Sequence, residues 1–221
     1  NVATTLTSNG FTRTGNTFAG WNTAADGSGT DYSNSQSVTI TGPITLFAKW
    51  NLNSYTITFK SNFTGGASDT TQSVNYNVAS ALTANTFTRT GYTFAGWNTV
   101  ADGTGTNYTN SQSVALTSAL TLYARWTGNL NSLTFDSQGG SAVTSQSWTT
   151  GSALNLSTPT RAGYTFNGWY IDKSLTSPFN FSTKISSNLT LYAKWLQNPG
   201  KPSGISANSN ASKTITIKWS I

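Results

Sequence analysis

A unit of about seventy residues recurs three times along this chain. Residues 11–22 read FTRTGNTFAGWN and residues 87–98 read FTRTGYTFAGWN, 76 positions on. TRAGYTFNGW follows at 160–169. Each block leads to a second signature: ITLFAKW at 44–50, LTLYARW at 120–126 and LTLYAKW at 189–195. The first Trp precedes the last by 29, 29 and 26 residues in the three copies. Such self-similarity predicts a tandem array of small, similarly built units, each stacking on its neighbours.

The second signature alternates strictly. Leu120, Leu122, Ala124 and Trp126 share one face, and Thr121, Tyr123 and Arg125 share the other, as in a strand with one buried side. On the outer face the Arg125 stem is expected to lie over Tyr123. In the first signature, Gly15, Gly91 and Gly163 supply a residue able to take positive φ before the strand. Gly96 lacks a side chain where another backbone or ring should approach closely. ADGSGT (25–30) and ADGTGT (101–106) read as turns. The third copy departs with IDKSLTSPF (171–179), and only 179–184 offers a short helical turn. Earlier in each complete unit, 54–59 with 72–76 and 132–136 with 146–150 read as hairpins turned at Gly65-Gly66 and Gly139-Gly140. Trp148 takes the Val74 place, in the core. The links 51–54 and 127–132 are short and polar.

These signatures resemble the bacterial internalin-type B-repeat, the Listeria–Bacteroides repeat, over roughly residues 1–196. The resemblance implies a mainly β, β-grasp-like α+β unit with its helix reduced or absent, in a linear tandem array. It also implies a secreted or cell-wall setting and a spacer or accessory adhesive role, with no catalytic set to carry over. The expected division is 1–52 (a first repeat lacking its N-terminal hairpin), 53–128, 129–197, and a Pro/Gly linker with strands at 198–221. That tail resembles the opening of a fibronectin type III domain.

Composition narrows the chemistry. There is no Cys, His, Met or Glu, and the carboxylates are six Asp. A Ser-His-Asp triad, a Cys-His dyad and a disulfide framework are therefore excluded. Six scattered Asp form no acid–base pair for glycoside hydrolysis, so no enzyme activity and no cofactor or metal is expected. The net charge of +6 is sparse and unclustered, which argues against a nucleic-acid partner. No apolar stretch is long enough to insert in a membrane.

Three functional readings remain. The first is a non-enzymatic spacer or stalk of a bacterial surface or secreted adhesive protein. The second is a filament subunit, because Lys213-Thr214-Ile215-Thr216-Ile217-Lys218, leading to Trp219, matches YTITFK at 55–60. That is the strand type the first unit lacks, so the tail of one molecule could add to the first unit of the next. The third is an anionic-glycan module, in which Arg13, Arg89 and Arg161 at one recurring position and Lys49, Arg125 and Lys194 at another form a basic ladder. Copies of the chain, or a host or cell-surface glycan or protein, are the expected partners. Phe63, Tyr108 and Tyr170 are the aromatics that periodicity accounts for least.

Overall fold

The computed structural model describes residues 2–180, 185–200, 203–209 and 215–220, the last two segments as backbone strands. Two compact units divide the chain: 1–89 with 94–127, and 128–221 with 90–93. Among the described residues there is no helix. Phe179 and Asn180 are irregular, and the rest of the expected helical turn, 181–184, lies outside the described residues.

The middle repeat shows how the sequence folds. Its strands are β6 (Ser54–Lys60), β7 (Thr70–Asn75), β8 (Ser80–Ala81), β9 (Tyr92–Asn98), β10 (Asn107–Tyr108), β11 (Ser113–Val114) and β12 (Leu120–Gly128). They follow β1 (Ala3–Thr5), β2 (Asn16–Asn22), β3 (Asp31–Tyr32), β4 (Ser37–Thr39) and β5 (Phe47–Leu52) of the first repeat. Strand β6 hairpins with β7 and runs parallel to β12, with Ile57 opposite Leu120 and Phe59 opposite Leu122. The sheet order is β10-β9-β12-β6-β7, with β12 and β6 parallel, β7 antiparallel to β6 and β10 antiparallel to β9. That is the β-grasp-like order without its helix.

The alternating LTLYARW pattern does what its period requires. Leu122 and Ala124 are fully buried and Leu120 and Trp126 pack at the margin of the same core. Trp97 is the largest ring inside, with Phe59 and Phe94 each 4.9 Å away at steep angles. Such edge-to-face packing suits rings whose faces and edges carry opposite partial charge. Gly96, at φ 111°, is required by space as well as by backbone: a Cβ there would stand 2.9 Å from the Tyr108 carbonyl oxygen.

The third repeat repeats the plan with β13 (Leu130–Asp136), β14 (Gln146–Thr149), β15 (Tyr164–Tyr170) and β16 (Leu189–Gln197), in the order β14-β13-β16-β15. Its own core gathers Leu133, Trp169, Leu191 and Ala193. Trp148 is buried and donates its indole N–H to the Ser152 carbonyl at 3.1 Å. In the tail, β17 (Ser203–Ser209) and β18 (Ile215–Ser220) form an antiparallel pair.

Among the described residues, the first repeat has the three-stranded sheet β3-β2-β5 and the separate pair β1-β4. Equivalent residues of the first two repeats differ in burial: Phe87 is 6% exposed and Phe11 is 66% exposed. In the middle repeat Phe59 of the hairpin closes the core against the Trp97 ring that Phe87 packs on.

Candidate functional site

The short polar links are reduced to single residues between nearly continuous strands. Asn53 alone separates β5 from β6, and Asn129 alone separates β12 from β13. Within the first unit, the Asn53 N–H donates to the Gly15 carbonyl at 2.9 Å, and the Thr17 hydroxyl donates to Asn53 Oδ1 at 2.6 Å. The Asn53 carbonyl in turn accepts the Tyr76 N–H at 2.8 Å. One residue thus holds the TRTG turn of the first repeat and the returning hairpin strand of the second.

Asn129 makes the same contacts within the second unit: its N–H to Gly91 O at 2.9 Å, the Thr93 hydroxyl to its Oδ1 at 2.7 Å, and Thr150 N–H to its carbonyl at 2.9 Å. Asn198 repeats the first two, with Gly163 O at 2.9 Å and Thr165 at 2.6 Å. Contact separates the three TRxG glycines. All three have φ between 72° and 78°. At Gly15 a Cβ would additionally lie 2.0 Å from the Tyr76 ring, and at Gly91 it would lie 2.6 Å from Ser186 Cβ. At Gly163 it would meet nothing within 4 Å.

A second device was not recognised in the sequence. The Asn of each GWN signature is the hub of the turn that follows. Asn98 is fully buried; its Nδ2 donates to Gly103 O, Gly105 O and Asn107 Oδ1, and its Oδ1 accepts the N–H groups of Val100 and Gly105, all within 2.8–3.1 Å. Asn22 does the same in the first repeat. The third copy has GWY, so this hub is missing, and the Asp172 carboxylate organises the turn instead. It accepts the Ser174 hydroxyl, the Thr176 N–H and hydroxyl and the Ser177 N–H. These bonds, the Ser174 hydroxyl first, hold its pKa well below the usual carboxylate range. The signal was present: both ADGxGT turns follow GWN, and the departing turn follows GWY.

The recurring cations are placed unequally. Lys49 is ion-paired with Asp31 at 2.7 Å, and this lysine together with the Asn22 amide lowers the Asp31 pKa. Arg13 is exposed. In the middle repeat, Asn107 stands where Asp31 does. Arg125 donates to Asn107 Oδ1 at 3.0 Å instead of lying over Tyr123, because the fork reaches a fixed acceptor held by the Asn98 hub. Arg89 lies over the Phe63 ring at 5.1 Å, and both arginines line one cleft. In the third repeat Arg161 donates to the Gln138 carbonyl at 3.0 Å and sits 3.9 Å over Tyr164, while Lys194 sits 4.7 Å over Tyr170. The ladder positions thus have three different surroundings.

The aromatics left over from periodicity also have structural roles. Phe63 packs edge-on to Trp126, Tyr108 packs against the middle core, and Tyr170 is buried. Of the tail segment, Ile215, Thr216, Ile217, Lys218 and Trp219 lie in β18, paired with β17, and Lys213 and Thr214 lie outside the described residues. No group of three or more carboxylates among the described residues is placed to hold a metal ion.

The sequence profile of the Listeria-Bacteroides repeat domain matches residues 1–49, 55–125 and 132–194. The chain belongs to this family. Its three Listeria-Bacteroides repeats match a Gly-rich protein of Evansella cellulosilytica, provisionally named a membrane protein, at 38% identity over 84% of this chain and 23% of that protein. A second provisionally named membrane protein of the same organism is 33% identical over 71% of this chain and 23% of its own length. Internalin H of Listeria monocytogenes is 38% identical over 50% of this chain and 20% of its length. The chain therefore spans about a fifth to a quarter of these relatives. No helix among the described residues is long and apolar enough to cross a membrane.

Proposed function

We propose that these repeats are a non-enzymatic spacer of a bacterial surface protein, in which the first repeat is pinned to the second rather than strung on a flexible linker. The observation that carries this reading is the Asn53 clamp, whose backbone and side chain both bond to the preceding repeat while its carbonyl holds the following hairpin. A linker residue with three hydrogen bonds has little torsional freedom left, whereas free Gly/Ser-type linkers behave as random coils. The kinship with internalin H and with proteins named for the membrane supports a surface-associated, extracellular setting.

The absence of Cys from the chain makes the test clean. Spin labels on Ser28→Cys and Ser68→Cys, both exposed, report the distance between the first and second repeats. A narrow distance distribution that broadens in Asn53→Ala is expected. A broad distribution in the parent chain would overturn the spacer reading.

A further inference from the structure

The chain enters and leaves the second repeat by strands that lie side by side. β6 follows β5 across Asn53 alone, and β12 leads to β13 across Asn129 alone. Stretching the chain therefore pulls β6 by Ser54 and β12 by Gly128, with no slack loop between the load and the sheet. The two strands are parallel neighbours, paired Ile57 to Leu120, Thr58 to Thr121, Phe59 to Leu122 and Lys60 to Tyr123. Pulling one parallel strand from its start and the other from its end slides them past each other. The evenly spaced bonds of a parallel ladder then share the load and must fail together. Strands drawn apart from one shared end would instead lose those bonds one at a time.

The third repeat has the same geometry. It is entered by β13 and left by β16, and residues 133–136 run parallel to residues 189–192. Beyond each ladder lies a further tie. The last Trp of the second signature donates its indole N–H to the first carbonyl after the entering strand: Trp126 to Ser61 at 2.8 Å, and Trp195 to Ser137 at 2.8 Å. Phe63 and Phe94 pack edge-on to the Trp126 ring, a contact another aromatic ring could supply; the indole N–H supplies the tie. In the second repeat Asn62 Nδ2 adds a bond to the Ala124 carbonyl of β12 at 3.0 Å. In the third, the hydroxyls of the facing pair Thr134 and Thr190 lie 2.7 Å apart.

We propose that the second and third repeats are tension clamps: the parallel pair of entering and leaving strands resists stretching in shear, and the signature Trp locks the far end of that pair. The clamp deepens the spacer reading and rests on it for its use, because a spacer fixed at a surface is stretched along its chain.

The test holds the full chain by pairs of introduced cysteines in an optical trap at constant load, which reads the rate of forced unfolding. The chain has no Cys of its own. Ser54→Cys with Thr127→Cys loads the pair along the chain. Thr56→Cys with Ala119→Cys loads the same pair across its Ile57–Leu120 end, and all four positions are exposed. At equal load the first arrangement is expected to survive about a hundredfold longer or more, the weight of at least two hydrogen bonds breaking together. Trp126→Phe, which keeps a ring against Phe63 and Phe94, is expected to shorten survival along the chain about tenfold, the weight of one hydrogen bond. It should leave survival across the pair unchanged, because unzipping reaches the Trp126 end last. Equal survival in the two directions would overturn the clamp. No loss from Trp126→Phe, or an equal loss in both directions, would overturn the lock. Where the spin-label distribution is narrow, either result leaves the spacer reading standing. A broad distribution with direction-dependent survival supports the clamp and overturns the spacer reading alone.

Discussion

Gly15→Ala and Gly163→Ala are the same substitution at equivalent positions, and the structure expects different outcomes. Both glycines have positive φ, at 72° and 76°. An alanine in this region costs about 1–2 kcal/mol by backbone strain alone. At Gly163 nothing is added, because no atom lies within 4 Å of the new Cβ. At Gly15 the methyl would also overlap the Tyr76 ring at Cδ1, Cε1 and Cγ, the root of the ring. Spinning the ring about its own axis does not clear Cγ, so either the whole side chain swings about χ1 or the strand end moves. Where the strand end moves, the three hydrogen bonds through Asn53 weaken with it, at about 1 kcal/mol each. Gly15→Ala should therefore cost more than Gly163→Ala at the joint, by up to about 3 kcal/mol. Read by native-state hydrogen exchange, the Asn53 and Tyr76 amides should lose protection in Gly15→Ala, by up to about 100-fold. Those amides should be unaffected in Gly163→Ala. Equal protection of Asn53 in the two variants would refute the idea that the following hairpin, and not φ alone, demands the glycine.

Three other expectations follow from particular contacts. Asn98→Ala should destabilise the middle repeat by about 1–3 kcal/mol, because the part-buried N–H groups of Val100 and Gly105 lose their acceptor; urea denaturation and exchange at Gly105 measure it. Phe87→Ala should cost about 3 kcal/mol or more while Phe11→Ala, at a ring 66% exposed, should cost under about 1 kcal/mol by the same denaturation assay. For Asp172, whose folded pKa lies below its ordinary 3.8, the turn contribution is complete above that value and is lost as pH falls through the folded pKa. In Asp172→Asn, the protection of the Ser177 amide should therefore lack the wild-type's decline at pH below 3.8; an identical acid profile would refute the carboxylate's role.

Much of the fold was legible because it rests on period and on turn chemistry. The alternation of Leu120, Leu122, Ala124 and Trp126 required a one-sided strand, and Gly96 announced the close approach of the Tyr108 carbonyl. The clamp was not legible in the same way. Asn53, Asn129 and Asn198 are three of 23 asparagines, and only a folded partner 36 or 33 residues away distinguishes them. The cations were found as a recurring set but not sorted. Arg125 was assigned to Tyr123, its neighbour on the strand face, and the structure gives it Asn107, brought close because the Asn98 hub draws the turn in.

Local rules, which act between residues a few positions apart, were enough to dictate three β repeats with aromatic centres. Which glycine is crowded and which basic side chain is ion-paired are questions about residues distant along the chain. Those answers depend on what folding sets alongside each side chain: Asp31 beside Lys49, Asn107 beside Arg125. A repeated letter can carry a different electrostatic role in each copy, because its partner is chosen by packing.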